Sequence, residues 1–304
     1  MTPRRFAVSV AVVALAGGCV APSSPPEDVA VVQPVERHAP NPAPAQDAAP
    51  RGPTTFTYTG ALIQGGWIRG EAPAGTVRAW LGETPLTLDA GHFFAAFDRD
   101  AVPSVTLRAE LADGRSIASP LTIAARAWNI ERVNVARAPG GATDAFMRIR
   151  RPELERIAAA RAVNADAAGW QQQFVWPAKG RISGRFGSQR IYRGGEAGAY
   201  HSGLDIATGG SGAIYVAPAD GLVTLAAETP FSLEGNLLIL DHGQGLNSAF
   251  LHSSALLVRE GDRVAQGQPI GRIGMTGRAT GPHLHWSLIW QGFRLDPLLF
   301  VGEQ

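Results

Sequence analysis

The chain has 304 residues, 45% of them hydrophobic, with 27 basic against 26 acidic side chains. That length admits two modest domains with appendages, and the apolar fraction is ordinary for a globular protein. The net charge of +1 becomes −1 if Arg4 and Arg5 are lost with a leader, which excludes the strongly basic balance of a nucleic-acid binder.

Arg4 and Arg5 precede an apolar run, Phe6 to Ala16, that is too short to span a bilayer as a stable helix, so residues 1–19 read as an export leader. The leader ends Leu15-Ala16-Gly17-Gly18-Cys19. Small residues before the chain's sole cysteine resemble a bacterial lipoprotein box, although Ala16 stands where leucine is usual. The resemblance implies lipidation and membrane anchoring at Cys19. With Val20 rather than aspartate next, it also implies an address on the periplasmic face of the outer membrane. Ordinary cleavage after Ala16 or Ala21 leaves a soluble periplasmic protein instead; a free cysteine in an exported chain favours lipidation.

Residues 20–53 are rich in proline, alanine and polar side chains, without apolar periodicity after Val32. Such a segment buries too little surface to offset its ordering entropy and is expected to be an extended tether. His38 falls within it. From 54 to 126 the chain reads as short strands. Val105, Leu107, Ala109 and Leu111 alternate with Thr106, Arg108 and Glu110, the period of a half-buried strand, and Asp113-Gly114 supplies a turn. Val77 to Leu81 is a further strand, and His92 reads as an ordinary residue of this small β-sandwich domain. A connecting helical segment is expected over 143–168, with Pro152 at its first helical position. Leu154, Ile157, Ala158, Arg161 and Ala162 would form its inner face, and Gly169 would mark its end.

Residues 174–302 read as a second β-rich domain. Leu237 to Leu240 and Leu246 to Leu251 flank a turn at Gly243 to Gly245 and form a hairpin that ends on His252. The turn assignment also accounts for His242. Val258 to Gln268 has the turn-rich text of biotinyl and lipoyl carrier domains, but no modifiable lysine motif follows it.

The chemistry lies in His201-Ser202-Gly203-Leu204-Asp205, a lone His252, and His283-Leu284-His285. Imidazole and carboxylate are donors that zinc takes, and a catalytic zinc commonly uses three protein ligands with the fourth position open. Residues four apart on a straight strand are separated by about 13 Å, so the first segment must bend, and Gly203 is expected to supply the backbone freedom. In His283-Leu284-His285 strand alternation points both imidazoles the same way. The set reads as a metallohydrolase.

From about Trp176 to Phe300 the sequence resembles the LytM/lysostaphin-type zinc peptidases, whose signature is His-x-x-x-Asp, an isolated strand-end histidine and His-x-His. Gly180 to Gly187, Ala217 to Gly221 and Thr276 to Pro282 match the family's glycine-rich turns. The resemblance implies a mainly β fold with an antiparallel β catalytic domain, one zinc per chain held by His201, Asp205 and His285, and His252 and His283 as catalytic histidines. It implies peptide crosslinks of peptidoglycan as substrate, D-alanyl to diaminopimelate in a Gram-negative wall or glycyl to glycine otherwise. Phe250 stands where the family often has tyrosine, and Ser287 where it often has glutamate. Neither is a ligand, but Phe250 leaves open whether a groove hydroxyl has been lost. Arg185 and Arg190 are candidates for the cleft. The other readings are a non-catalytic activator or scaffold for wall hydrolases, whose relatives typically lack ligands that are all present here, and a zinc peptidase acting on proteins.

Overall fold

The alternating amino-terminal residues form two antiparallel sheets in a computed structural model that describes residues 52–137, 143–227 and 229–304. The leader, Cys19, His38 and nearly all of the 20–53 tether lie outside the described residues. The strands are β1 (Thr57–Gly60), β2 (Trp67–Glu71), β3 (Thr76–Leu81), β4 (Thr84–Leu86), β5 (His92–Ala96), β6 (Ser104–Leu111) and β7 (Ser116–Thr122). One sheet has the order β1-β2-β5 and the other β4-β3-β6-β7. In β6 Leu107, Ala109 and Leu111 are buried while Arg108 is exposed, and Gly114 closes the β6–β7 turn at φ 84°. His92 is exposed at the start of β5.

The chain crosses to its second half through β8 (Ile130–Arg132) and α1 (Asp144–Ala162). Thr143 caps α1, its hydroxyl accepting the Phe146 N–H at 3.1 Å, which satisfies an otherwise orphaned donor. The helix thus starts well before Pro152, which lies in its interior and not at its first position. Both Pro152 and Arg148 are exposed, so water can satisfy the Arg148 carbonyl that the ring leaves without a donor. The packed stripe is also rotated from the expected one. Leu154, Ala158 and Ala162 are exposed, whereas Arg150, Ile157 and Ala160 are buried. Gly169, expected to end the helix, instead opens a 3-10 turn, Gly169–Gln171, where a Cβ would strike the Asp220 carbonyl.

The remaining strands are β9 (Arg181–Gly184), β10 (Gln189–Ile191), β11 (Leu204–Ala207), β12 (Ile214–Val216), β13 (Gly221–Ala226), β14 (Asn236–Asp241), β15 (Leu246–Ser253), β16 (Ala255–Leu256), β17 (Arg263–Val264), β18 (Pro269–Arg272), β19 (Leu284–Trp290) and β20 (Phe293–Leu295). The main sheet runs β17-β13-β14-β15-β19-β11-β9, with β20 paired to β19, and a smaller sheet runs β12-β18-β16. β10 pairs in parallel with β8. One face of the main sheet sends Leu204, Ile206, Leu238, Leu240, Phe250 and Trp286 into the principal core. The other face packs Leu225, Leu237, Ile239 and Ala249 beneath Ile157 and Ala160 of α1.

The core is continuous between the two β regions. Trp67 of β2 stacks on Phe94 and approaches Phe300, whose ring lies 5.2 Å from Phe174. The Trp67 indole N–H donates to the Leu299 carbonyl at 2.9 Å. Among the described residues no helix is long and apolar enough to cross a membrane.

Candidate metal centre

Asp205 on β11 and His285 on β19 are register partners across adjacent antiparallel strands, so their side chains stand on the same face. Asp205 Oδ1 lies 2.8 Å from His285 Nδ1. His201, just before β11, brings Nε2 to 3.0 Å from Asp205 Oδ1 and 3.2 Å from His285 Nδ1. Ligands of a tetrahedral zinc at about 2.0–2.1 Å from the metal sit about 3.3 Å apart, so this triangle is close to the required size. The three donors lie within 4.8 Å of one another and could hold a metal ion.

Two glycines make the cradle. A Cβ on Gly203 would come within 2.7 Å of His285 Nε2, and one on Gly184 would collide with the Asp205 carboxylate and stand 3.1 Å from His201 Cε1. Gly203 does not use left-handed backbone. The expectation that it supplies bending freedom is therefore corrected: its use is space for the Trp286 carbonyl and the His285 imidazole of β19. Gly184 was missed as a site residue because its partner, Asp205, is reached only through the β9–β11 pairing.

His201 Nδ1 lies 3.1 Å from the Arg185 carbonyl. That bond places the proton on Nδ1 and leaves the Nε2 lone pair for the centre. His283 Nδ1 is likewise held by the Gly281 carbonyl at 2.8 Å, and its Nε2 stands 3.7 Å from Asp205 Oδ1.

His252 reaches the site by a different device. Asn236 pairs with Ser253 but Leu238 with Phe250, so Leu251 and His252 bulge opposite the single residue Leu237. Leu251 is the register partner of His285, and simple alternation would turn His252 to the opposite face. Its φ of 66°, a left-handed value uncommon outside glycine, goes with the bulge. The His252 ring centroid lies 5.0 Å from that of His283 and 6.3 Å from that of His285. Its Nδ1 donates to the Thr276 carbonyl at 2.9 Å, which leaves Nε2 as the acceptor nitrogen.

Burial opposes charge throughout the group. At Asp205 it is outweighed by the hydrogen bonds and charge of His201 and His285, which hold the carboxyl well below the usual range. At His201 burial is outweighed by Asp205, and the imidazole is raised. Burial prevails at His252 and His285, which are both lowered.

A cleft of about 920 Å³ opens beside His201 and Asp205, lined by Arg185, Arg190, Arg137 and Arg278. Its wall includes Asn129 and Glu131, so the segment joining the two β regions contributes to it, as strand patterning did not foresee. Glu131 neutralises Arg190 and Glu196 neutralises Arg137, both at 2.7 Å. Among the described residues Arg185 and Arg278 form no ion pair. Arg99, from the amino-terminal β region, lies over Tyr200 and donates to the Gly187 carbonyl at 3.1 Å, steadying the loop before His201.

Residues 199–297, which contain the three predicted metal ligands and the two predicted catalytic histidines, match the model of Peptidase family M23. The chain carries a peptidase M23 domain. Peptidoglycan DD-endopeptidase ShyA of Vibrio cholerae is 37% identical over 121 residues, covering 40% of this chain and 27% of ShyA. Murein hydrolase activator NlpD of Escherichia coli is 33% identical over 129 residues, covering 42% of this chain and 31% of NlpD. The chain thus spans only about a quarter to a third of the length of these relatives. A solved peptidase M23 structure from Pseudomonas aeruginosa is similar over 79% of this chain and 94% of its own, at 26% identity and a TM-score of 0.59. That share is too large to be confined to the M23 domain, so the likeness extends into the segments before it.

Within the M23 domain Phe250 is fully buried and stacked on Tyr215 at 5.3 Å. A hydroxyl at that position would enter the core and not the groove, so its loss removes nothing from the cleft. Ser287 is buried on β19, two residues beyond His285. His242 does sit at the hairpin turn, but its role is larger than turn formation. It is fully buried, with Nδ1 2.7 Å from the Asp220 carbonyl and Nε2 2.7 Å from Ser248 Oγ. Burial lowers its pKa to about 4.

Proposed function

We propose that this protein is a zinc-dependent endopeptidase that hydrolyses peptide crosslinks in bacterial peptidoglycan. The carrying observation is the complete donor triangle of His201, Asp205 and His285 beside two further imidazoles, at the foot of an open cleft. The three donors would hold one zinc ion. Zinc in such a site makes water acidic enough to yield hydroxide near neutral pH, with a pKa of about 7, and polarises a carbonyl.

The other tasks fall to the chain. His252, with its Nδ1 proton fixed on Thr276, offers Nε2 to accept a proton from the attacking water. Burial keeps that imidazole neutral, the form a base requires. His283, with Nδ1 fixed on Gly281, presents Nε2 toward the same space; as the imidazolium, with a proton on each ring nitrogen, it would donate from Nε2 to the oxygen that gains charge as the peptide carbonyl is attacked. Arg185 and Arg278 supply positive charge for substrate carboxylates, which suits a stem peptide bearing free acids. The similarity to ShyA supports a D-alanyl to diaminopimelate bond over glycyl–glycine.

The reading includes export, with Cys19 as a lipid attachment point and residues 20–53 as the reach from a membrane into the wall. A second reading, a non-catalytic activator of wall hydrolases, is favoured by the similarity to NlpD; the intact donor set favours the enzyme. Product analysis of purified sacculi, with and without chelator and with casein as a control, tests the proposal. Crosslink cleavage abolished by chelation supports it. Inert sacculi in the presence of metal-loaded protein support the activator, and cleavage of casein alone supports a protein-directed peptidase.

A further inference from the structure

We propose that Arg150 of α1 is a positioning residue for His252, acting through Glu234. The inference rests on the proton-handling role given to His252 above. Arg150 is buried on the packed stripe of α1, although arginine is seldom buried unless paired. Its guanidinium grips the Glu234 carboxylate in a two-pronged contact of 2.6 and 2.7 Å and reaches Glu153 at 3.0 Å. Glu153 in turn accepts the Ser232 N–H and hydroxyl, each at 2.6 Å. Two acids and one arginine therefore tie the loop before β14 to the helix.

The loop's main chain continues this contact to the site. The Glu234 carbonyl accepts the His252 N–H at 2.8 Å, at the residue whose φ of 66° must be maintained. The next residue, Gly235, packs so closely on Thr276 that a Cβ would collide with it. Thr276 supplies the carbonyl that orients the His252 ring and a hydroxyl that accepts the Asn236 N–H at 2.9 Å. Both the backbone and the ring of His252 are thus held by groups whose place depends on this loop. A left-handed non-glycine residue persists only when its surroundings over-determine it, and the bidentate pair is the strongest of those surroundings. Removing Arg150 leaves Glu234, with its side chain 15% exposed, a carboxylate without its main counter-charge. The loop would be expected to move toward water and the acceptor for His252 N–H to move with it.

The test uses the full-length, zinc-loaded protein with Arg150→Met, Arg150→Lys and, as a control on the exposed side of α1, Arg151→Met. Three quantities are read: zinc per chain, the NMR signals of the histidine rings assigned by His252→Gln, and kcat and KM on a crosslinked muropeptide dimer. Arg150→Met should keep its zinc, displace the His252 signal while leaving that of His242 in place, and lower kcat roughly ten- to a hundredfold with little change in KM, the scale of a small misplacement at a reacting group. Arg150→Lys keeps the charge without the fork and should move the same readouts part-way. It carries the test if the Met variant does not fold. Arg151→Met should match the parent. A His252 signal unmoved in a folded Arg150 variant overturns the proposal, whether or not the protein cleaves wall. A displaced signal in a protein with no cleavage activity would sustain the positioning and count against the enzyme.

Discussion

Asp205 and His285 face each other as register partners across β11 and β19, with Oδ1 and Nδ1 2.8 Å apart. Sheet pairing therefore builds two corners of the candidate centre, and the bend at His201 adds the third. The ligand and proton-handling roles can be separated by experiment. His201→Ala and Asp205→Ala should lose bound metal along with activity. His252→Ala should retain about one zinc per chain while losing roughly 10²–10⁴-fold in rate, the usual worth of a positioned acid or base. Metal analysis of the purified variants checks the division, and full activity in His252→Ala would remove that residue from the mechanism.

Gly184 gives a second test, because its side-chain space is occupied by the Asp205 carboxylate and the His201 ring. Gly184→Ala should weaken zinc binding by about 10- to 100-fold, the range seen when groups supporting metal ligands are disturbed. A competition titration against a chromogenic chelator reads this directly. Unchanged affinity would mean that β9 yields without moving the ligands.

His242 predicts a dependence of stability on pH that is independent of the metal. Its imidazole is neutral in the fold, with a pKa lowered to about 4 by burial, against about 6.5 in an unfolded chain. Above 6.5 both states are neutral and nothing changes. Between 6.5 and 4 the unfolded chain takes up a proton that the fold does not, so stability falls as pH falls, by up to about 3 kcal/mol. Neighbouring Asp241, raised by burial, works in the opposite sense, so the comparison must be internal. Denaturant unfolding at pH 7 and pH 4.5 should show a smaller loss in His242→Gln than in the parent. Equal losses would exclude His242 as a source.

Much of this was legible in the chain where one local rule governed. Alternation identified β6 and aligned His283 with His285, and the glycine turn between two apolar runs gave the β14–β15 hairpin. The misreadings arose where a distant partner decided the outcome. Pro152 fits a helix start, yet Thr143 caps the helix earlier. Arg150 and Glu153 carry no local signal of their place: Arg150 is buried and Glu153 half-buried because Glu234 and Ser232, about eighty residues away, pair with them. His252 is turned toward the site by a bulge that no two-residue period contains, and Gly203 is small because of the Trp286 carbonyl and the His285 imidazole on another strand.

The central claim is tested most directly by mass spectrometry of a purified crosslinked muropeptide dimer incubated with the zinc-loaded parent protein and with zinc-loaded His252→Ala. The parent should convert the dimer to monomers by hydrolysis of the crosslink, and the variant, with equal zinc, should leave it intact. An uncut dimer with both proteins, or equal cleavage by both, would contradict the account.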